Sequence, residues 1–234
     1  MRPGTAVTDD PAALAADRLA AVARTGGHIA LAGGSTPRAA YEKLAGREVD
    51  WPGATLWFGD ERCVPPDNEH SNYAMVKESL LDRIRGPAPT VKRIEGERGP
   101  HEGADHYDAE LRKAFREGMP ALDLVLLGLG PDAHTASLFP NDPLLEERDR
   151  AAVGVESPGM PPLVSRVTLT LPAVNAAREV VFLVSGEDKA EAVARAFAGA
   201  PDPGAPASLV EPHSGSLTLL VDRPAARLVP ELAQ

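Results

Sequence analysis

One stretch concentrates the residue types suited to acid–base chemistry: Gly128-Leu-Gly-Pro-Asp-Ala-His-Thr-Ala-Ser-Leu-Phe-Pro140. A lone histidine is more often structural or merely exposed than catalytic. Here His134 follows an apolar strand, sits in a glycine-bearing turn and comes two residues after Asp132. A carboxylate at that distance can orient an imidazole and raise its basicity. Ester or lactone hydrolysis needs a base near neutral pH to take a proton from water, and histidine suits that task. Backbone N–H groups beside it could hold the oxyanion of a tetrahedral intermediate.

Three further groups could complete such a site. Gly33-Gly34-Ser35-Thr36-Pro37 joins two glycines and two hydroxyls to a helix start, an arrangement suited to an anion. Alone, it reads as a glycine turn with a serine N-cap, common in any α/β protein. Asp60-Glu61-Arg62 is either a mutually paired surface turn or a cluster in which Arg62 clamps a phosphate or polarises a substrate. Residue types do not decide between these. Arg166 and Lys189 read as surface charges or as anion contacts. A lysine near a helix start opposes the dipole there unless an anion sits nearby.

Other chemistries fit less well. Gly128-Leu-Gly130-Pro-Asp-Ala133 matches a dinucleotide pattern formally, and Glu156 stands near the expected ribose distance. That pattern requires a long helix straight after the turn, and Pro140 and Pro143 cut the segment short. The Gly-Lys-Ser/Thr ending of a phosphate-binding P-loop and the Gly-x-Ser-x-Gly elbow are both absent. The six histidines are dispersed, with neither His-x₃-His nor Cys-x₂-Cys spacing, so no metal site and no cofactor is expected. Cys63 has no neighbour in sequence that would activate it and reads as a spectator thiol.

These residues need elements to position them. Asp10-Pro11 starts a helix that Gly26-Gly27 ends. His28–Ala32 reads as a buried strand stopping at Gly33-Gly34, and Pro37 opens a helix to about Ala45. Thr55–Phe58 reads as a strand ending at Gly59-Asp60. Asn72–Ile84 and His101–Arg116 read as helices, Val91–Ile94 as a strand, and Leu122–Leu127 as the central strand. Ala151–Val155, Val167–Leu171, Val180–Val184 and Leu217–Val221 supply further strands. Helices at about Pro172–Ala177 and Asp188–Phe197 lie between them, and 200–207 is a loop. The alternation predicts an α/β fold, a doubly wound, mostly parallel sheet with helices on both faces, in one domain over residues 1–234. If the strands ending at Gly33, Gly59 and Gly128 are neighbours, their loops converge on one cleft at the carboxyl ends of the sheet.

The chain has 234 residues, 43% of them hydrophobic, and a net charge of −10. That suffices for one substantial core. The acidic surface argues against nucleic acid and acidic membranes as partners. It does not argue against a phosphorylated small molecule met by a few cations focused in a cleft. One cysteine rules out an internal disulfide. The opening residues lack an apolar core of signal-peptide length, so a cytoplasmic protein is expected.

Together these segments resemble the 6-phosphogluconolactonase family, within the glucosamine-6-phosphate isomerase/6-phosphogluconolactonase superfamily. Leu31-Ala-Gly-Gly-Ser-Thr-Pro37, then Gly59-Asp-Glu-Arg-Cys-Val-Pro65 with Ser71-Asn72-Tyr73, and Gly128–Pro140 carry the resemblance. Ser165-Arg-Val-Thr-Leu-Thr-Leu through Asn175, and Lys189 after Val184-Ser-Gly186, extend it in family order. The resemblance implies a glucosamine-6-phosphate deaminase/ribose-5-phosphate isomerase-like fold and hydrolysis of a sugar-phosphate lactone, 6-phosphoglucono-δ-lactone, without cofactor or metal. It implies His134 as general base beside Asp132, Arg62 at the lactone or phosphate, and Arg166 and Lys189 at the phosphate. Gly33, Gly34, Ser35 and Asp60 would line the site, and a monomer is expected. Two positions depart from the family, which usually has glycine at Ala133 and Asn141. If Ala133 needs a positive φ, its Cβ costs roughly 1 kcal/mol or more. Relatives acting on glucosamine 6-phosphate carry Asp-Glu-Tyr and His-Ile-Ala-Phe-Asn-Glu-Pro at the corresponding places. The glutamate of that run is missing here, which favours the lactonase over an isomerase or deaminase. A non-catalytic sugar-phosphate-binding protein is the third reading.

Overall fold

The structure is a computed structural model that describes residues 3–116, 118–229 and 231. The chain runs β1 (Gly4–Val7), α1 (Pro11–Arg24), β2 (His28–Leu31), α2 (Ser35–Ala45), β3 (Thr55–Phe58), β4 (Asp60–Arg62), α3 (Asn72–Ser79), β5 (Thr90–Val91) and α4 (Pro100–Phe115). It continues β6 (Leu124–Leu127), β7 (Ala152–Val155), β8 (Arg166–Leu169), α5 (Leu171–Asn175), β9 (Glu179–Val184), α6 (Ala190–Phe197), β10 (Ser216–Val221) and α7 (Arg223–Ala226).

Seven strands form one parallel sheet in the order β1-β10-β9-β6-β2-β3-β5. Successive strand residues point to opposite faces. In β6 all four residues are buried, as are the last five of β9 and of β10, so both faces are covered. A parallel sheet needs such cover. Asp10 caps α1 by accepting from the Ala13 N–H at 3.0 Å, and Pro11 fills the first turn. Ala15, Ala16, Ala20 and Ala23 let that helix lie close against the core.

The expected parallel α/β sheet is present, with four departures. Asp60-Glu61-Arg62 is not a surface turn but the strand β4. It joins β8 and β7 in a second, antiparallel three-stranded sheet, in the order β4-β8-β7. The strands expected at Ala151–Val155 and Val167–Leu171 therefore lie outside the main sheet. Helix α2 starts at Ser35, two residues before Pro37, with Gly34 at φ 103° as its N-cap in place of the serine. The segment Asn72–Ile84 divides at Leu80, whose φ of −130° leaves the helix, into α3 and a 3-10 turn over Leu81–Arg83. The short β1 and α7 carry too little periodicity to be read in advance.

The strand order decides the placement of the loops. β6, β2 and β3 are neighbours. The chain leaves β2 toward β3 on one side, while β6 leads to β9 on the other. The crevice between β2 and β6 is thus a topological switch point, where such sheets hold ligands.

Candidate active site

A cleft of about 270 Å³ opens at the carboxyl ends of these strands. Gly33, Gly34 and Ser35 line it from the β2–α2 turn, Asp60 and Arg62 from β4, and His134 from the loop after β6. Arg166 enters from β8 and Lys189 from the turn before α6. Asp132 stands behind His134, outside the lining.

The loop after β6 is folded around its histidine. No α-helix opens at the Gly128–Ala133 turn, so the dinucleotide alternative has no structural counterpart. The Asp132 Oδ1 accepts from the His134 backbone N–H at 3.1 Å and meets Nδ1 at 2.5 Å. An ionised carboxylate can only accept, so Nδ1 carries the proton and Nε2 is left as the basic nitrogen. Burial pushes the Asp132 carboxyl up. The hydrogen bond and charge of His134, with backbone N–H bonds, outweigh it and hold the group below the usual aspartate range. The imidazole also packs against Phe139, with ring centroids 4.9 Å apart.

Three backbone N–H groups of the same turn are committed internally. Gly130 donates to the His134 carbonyl, Ala133 to the Gly130 carbonyl and His134 to Asp132. These three do not offer the oxyanion site that sequence had suggested beside the histidine. The first turn of α2, at Ser35 and Thr36, presents N–H groups that lack intrahelical partners. They border the cleft instead.

Two arginines meet on the opposite wall. Arg62 and Arg166 are direct cross-strand partners in the β4–β8 ladder. Like charges so placed repel unless an anion lies between them. Arg166 is buried, its Nη2 donating to the Met160 and Pro162 carbonyls at 2.9 and 3.2 Å. Burial, then the neighbouring Arg62, pull its pKa below the ordinary arginine value, and Asp60 opposes them. The Nε atoms of both arginines are buried without a partner. Arg62 Nη1 donates to the His70 carbonyl at 2.7 Å, which turns its side chain along the cleft rim. Lys189 is half-buried, its Nζ 3.7 Å from the Asp188 carboxylate.

Several contributors escaped the sequence. Asp60 accepts from Ser137 Oγ at 2.6 Å and from Asn72 Nδ2 at 3.1 Å. Asn72 fills the space over Gly33, where a Cβ would lie 2.0 Å from its Oδ1. Glu61 turns away from the cleft and anchors α3, accepting from Ser71 Oγ and from the N–H groups of Asn72 and Tyr73. Burial raises its pKa against those hydrogen bonds. Ser71-Asn72 was legible as a helix start, and an N-cap beside a glycine turn was the available signal. Among the described residues, no group of three or more His, Cys, Asp or Glu side chains is arranged to hold a metal ion.

The profile of the glucosamine-6-phosphate isomerase/6-phosphogluconolactonase family matches residues 5–219. The chain belongs to that family. A 6-phosphogluconolactonase of Homo sapiens is 45% identical over 177 residues, 75% of this chain and 68% of that one. One from Nostoc sp. is 40% identical over 197 residues, 82% of this chain and 80% of that one. The solved 6-phosphogluconolactonase from Trypanosoma cruzi superposes with a TM-score of 0.84 at 30% identity, covering 97% of each chain. The family match spans every cleft residue named above, from Gly33 to Lys189.

Proposed function

We propose that this chain hydrolyses 6-phospho-D-glucono-1,5-lactone to 6-phospho-D-gluconate, the second step of the oxidative pentose phosphate pathway. Family membership and the lactonase relatives support the substrate. The observation that carries the chemistry is an imidazole oriented by a carboxylate, 2.5 Å away, in a cleft that also holds three cations.

In this reading Asp132 holds the Nδ1–H of His134, and Nε2 takes a proton from water as its oxygen attacks the lactone carbonyl carbon. The carbonyl oxygen becomes an oxyanion. Its collapse breaks the bond from the carbonyl carbon to the ring oxygen, and the imidazolium returns the proton to that oxygen. The product is the open-chain hydroxy acid. Arg166 and Lys189 bind the phosphate, and Arg62 reaches the lactone or the phosphate. Gly33, Gly34 and Ser35 let the substrate approach the start of α2, and Asp60, held by Ser137 and Asn72, contacts the sugar. The step itself calls for neither cofactor nor metal. The chain acts as a single domain and a monomer, and its one cysteine suits the reducing cytoplasm.

The test generates the lactone in situ by oxidising glucose 6-phosphate and follows its disappearance with and without the protein. Hydrolysis well above the spontaneous rate is expected. Ammonia release from glucosamine 6-phosphate, with no acceleration of lactone hydrolysis, would overturn the reading.

A further inference from the structure

An exposed arginine outside the cleft holds the loop that carries His134. Arg195 lies in the last turn of α6. A cation there is favoured by the helix dipole alone. Its guanidinium, however, reaches two other segments. Nη1 donates to the Asp132 carbonyl oxygen at 3.1 Å, and Nη2 donates to the Gly204 carbonyl oxygen.

The same two segments are joined twice more. The Ala207 N–H donates to the Ala133 carbonyl at 3.1 Å, and the Asn141 N–H donates to the Pro203 carbonyl at 2.9 Å. The tethered residues include one that resists its conformation. Ala133 has φ 66°, in the left-handed region that alanine avoids, whereas Asn141, at φ 57°, is of a type that tolerates it. Asp132 precedes Ala133, and its Oδ1 must meet both the backbone and the ring of His134. Relaxation of the turn at Ala133 would swing that carboxylate away from Nδ1.

We propose that Arg195 is a positioning residue for the His134–Asp132 pair, bracing the strained turn against the 202–207 segment. The inference rests on the lactonase reading given above. A planar fork suits this bridge between two carbonyls, whereas a lysine ammonium is a single point donor on a flexible stem.

The test compares the full-length wild type with Arg195→Met and Arg195→Lys. Three quantities are measured: the thermal midpoint, kcat and KM for the lactone, and the downfield proton resonance of the His134 Nδ1–H. That resonance is assigned by its loss in His134→Ala. In Arg195→Met, kcat should fall about tenfold, as for a small misplacement of a catalytic group. KM should stay within about twofold, the midpoint close to wild type, and the resonance should broaden through exchange with water. Arg195→Lys should lie between. Unchanged kcat with an unchanged resonance would overturn the proposal. So would a rise in KM alone, which would make Arg195 an anion contact. If Arg195→Met failed to fold, Arg195→Lys would decide by the same readouts. A wild type without lactone turnover would defeat the functional reading, while the resonance comparison would still decide the brace.

Discussion

Gly130 and Asp132 define the space and the partner that His134 has. A Cβ on residue 130 would lie 2.0 Å from His134 Nδ1, so the ring packs directly on the glycine backbone. Gly130→Ala should therefore displace the imidazole and lower kcat about 10²-fold, the lower range for losing a positioned base. Circular dichroism should remain that of the folded protein. Asp132 gives a pH-dependent expectation. Its carboxyl lies below the usual range, so its ionised form stabilises the fold above the ordinary aspartate pKa of about 3.9. That contribution is lost as pH falls through the lowered value. Urea midpoints should show the advantage of wild type over Asp132→Asn shrinking below about pH 4; an advantage that widened there would contradict the assignment. At this scale much was legible. The His134–Asp132 spacing allows the pair, though only the folded turn brings the two into contact, and the conditional cost at Ala133 is realised in its φ of 66°. The internal use of the turn's N–H groups was not legible, because it depends on how the loop closes on itself.

At the scale of elements, local signals located most helices and strands of the main sheet. Proline and glycine punctuation set the ends of α1 and β2, and apolar runs marked β3, β6, β9 and β10. The second sheet escaped because its strand β4 is three charged residues long and pairs with β8 about a hundred residues away. Nothing local in Asp60-Glu61-Arg62 announces burial. Its stability comes from partners elsewhere, above all the Glu61 carboxylate on the start of α3. Ser71 is central to that junction, since its Oγ donates to Glu61 at 2.9 Å and accepts from the Ala74 N–H at 3.1 Å. Ser71→Ala removes the cap and one partner of a buried carboxylate. The expected loss is about 1–2 kcal/mol by chemical denaturation, the upper range for an N-cap. A change under about 0.3 kcal/mol would mean that the remaining hydrogen bonds hold α3 unaided.

For the whole molecule, a net charge of −10 coexists with Arg62, Arg166 and Lys189 gathered in one cleft. The sequence displayed these charges as scattered, because only the pairing of β4 with β8 and the placement of β9 beside β6 bring them together. Two cross-strand arginines place like charges side by side, with Asp60 opposing the repulsion at Arg166, and leave buried Nε atoms without a partner. An anionic ligand should therefore stabilise the entire fold. At a hundred times its Kd, 6-phosphogluconate should add about 2.7 kcal/mol, read as a higher Tm. Gluconate at the same concentration should give little shift, and Arg166→Met should abolish the difference between the two. Equal shifts from both compounds would remove the phosphate from the account. This architecture serves one base. Its most direct measurement is the steady-state rate of lactone hydrolysis by wild type and His134→Ala, each corrected for spontaneous hydrolysis and matched in circular dichroism. In the mutant kcat should fall about 10²- to 10⁴-fold. A folded His134→Ala that turns the lactone over at the wild-type rate would contradict it.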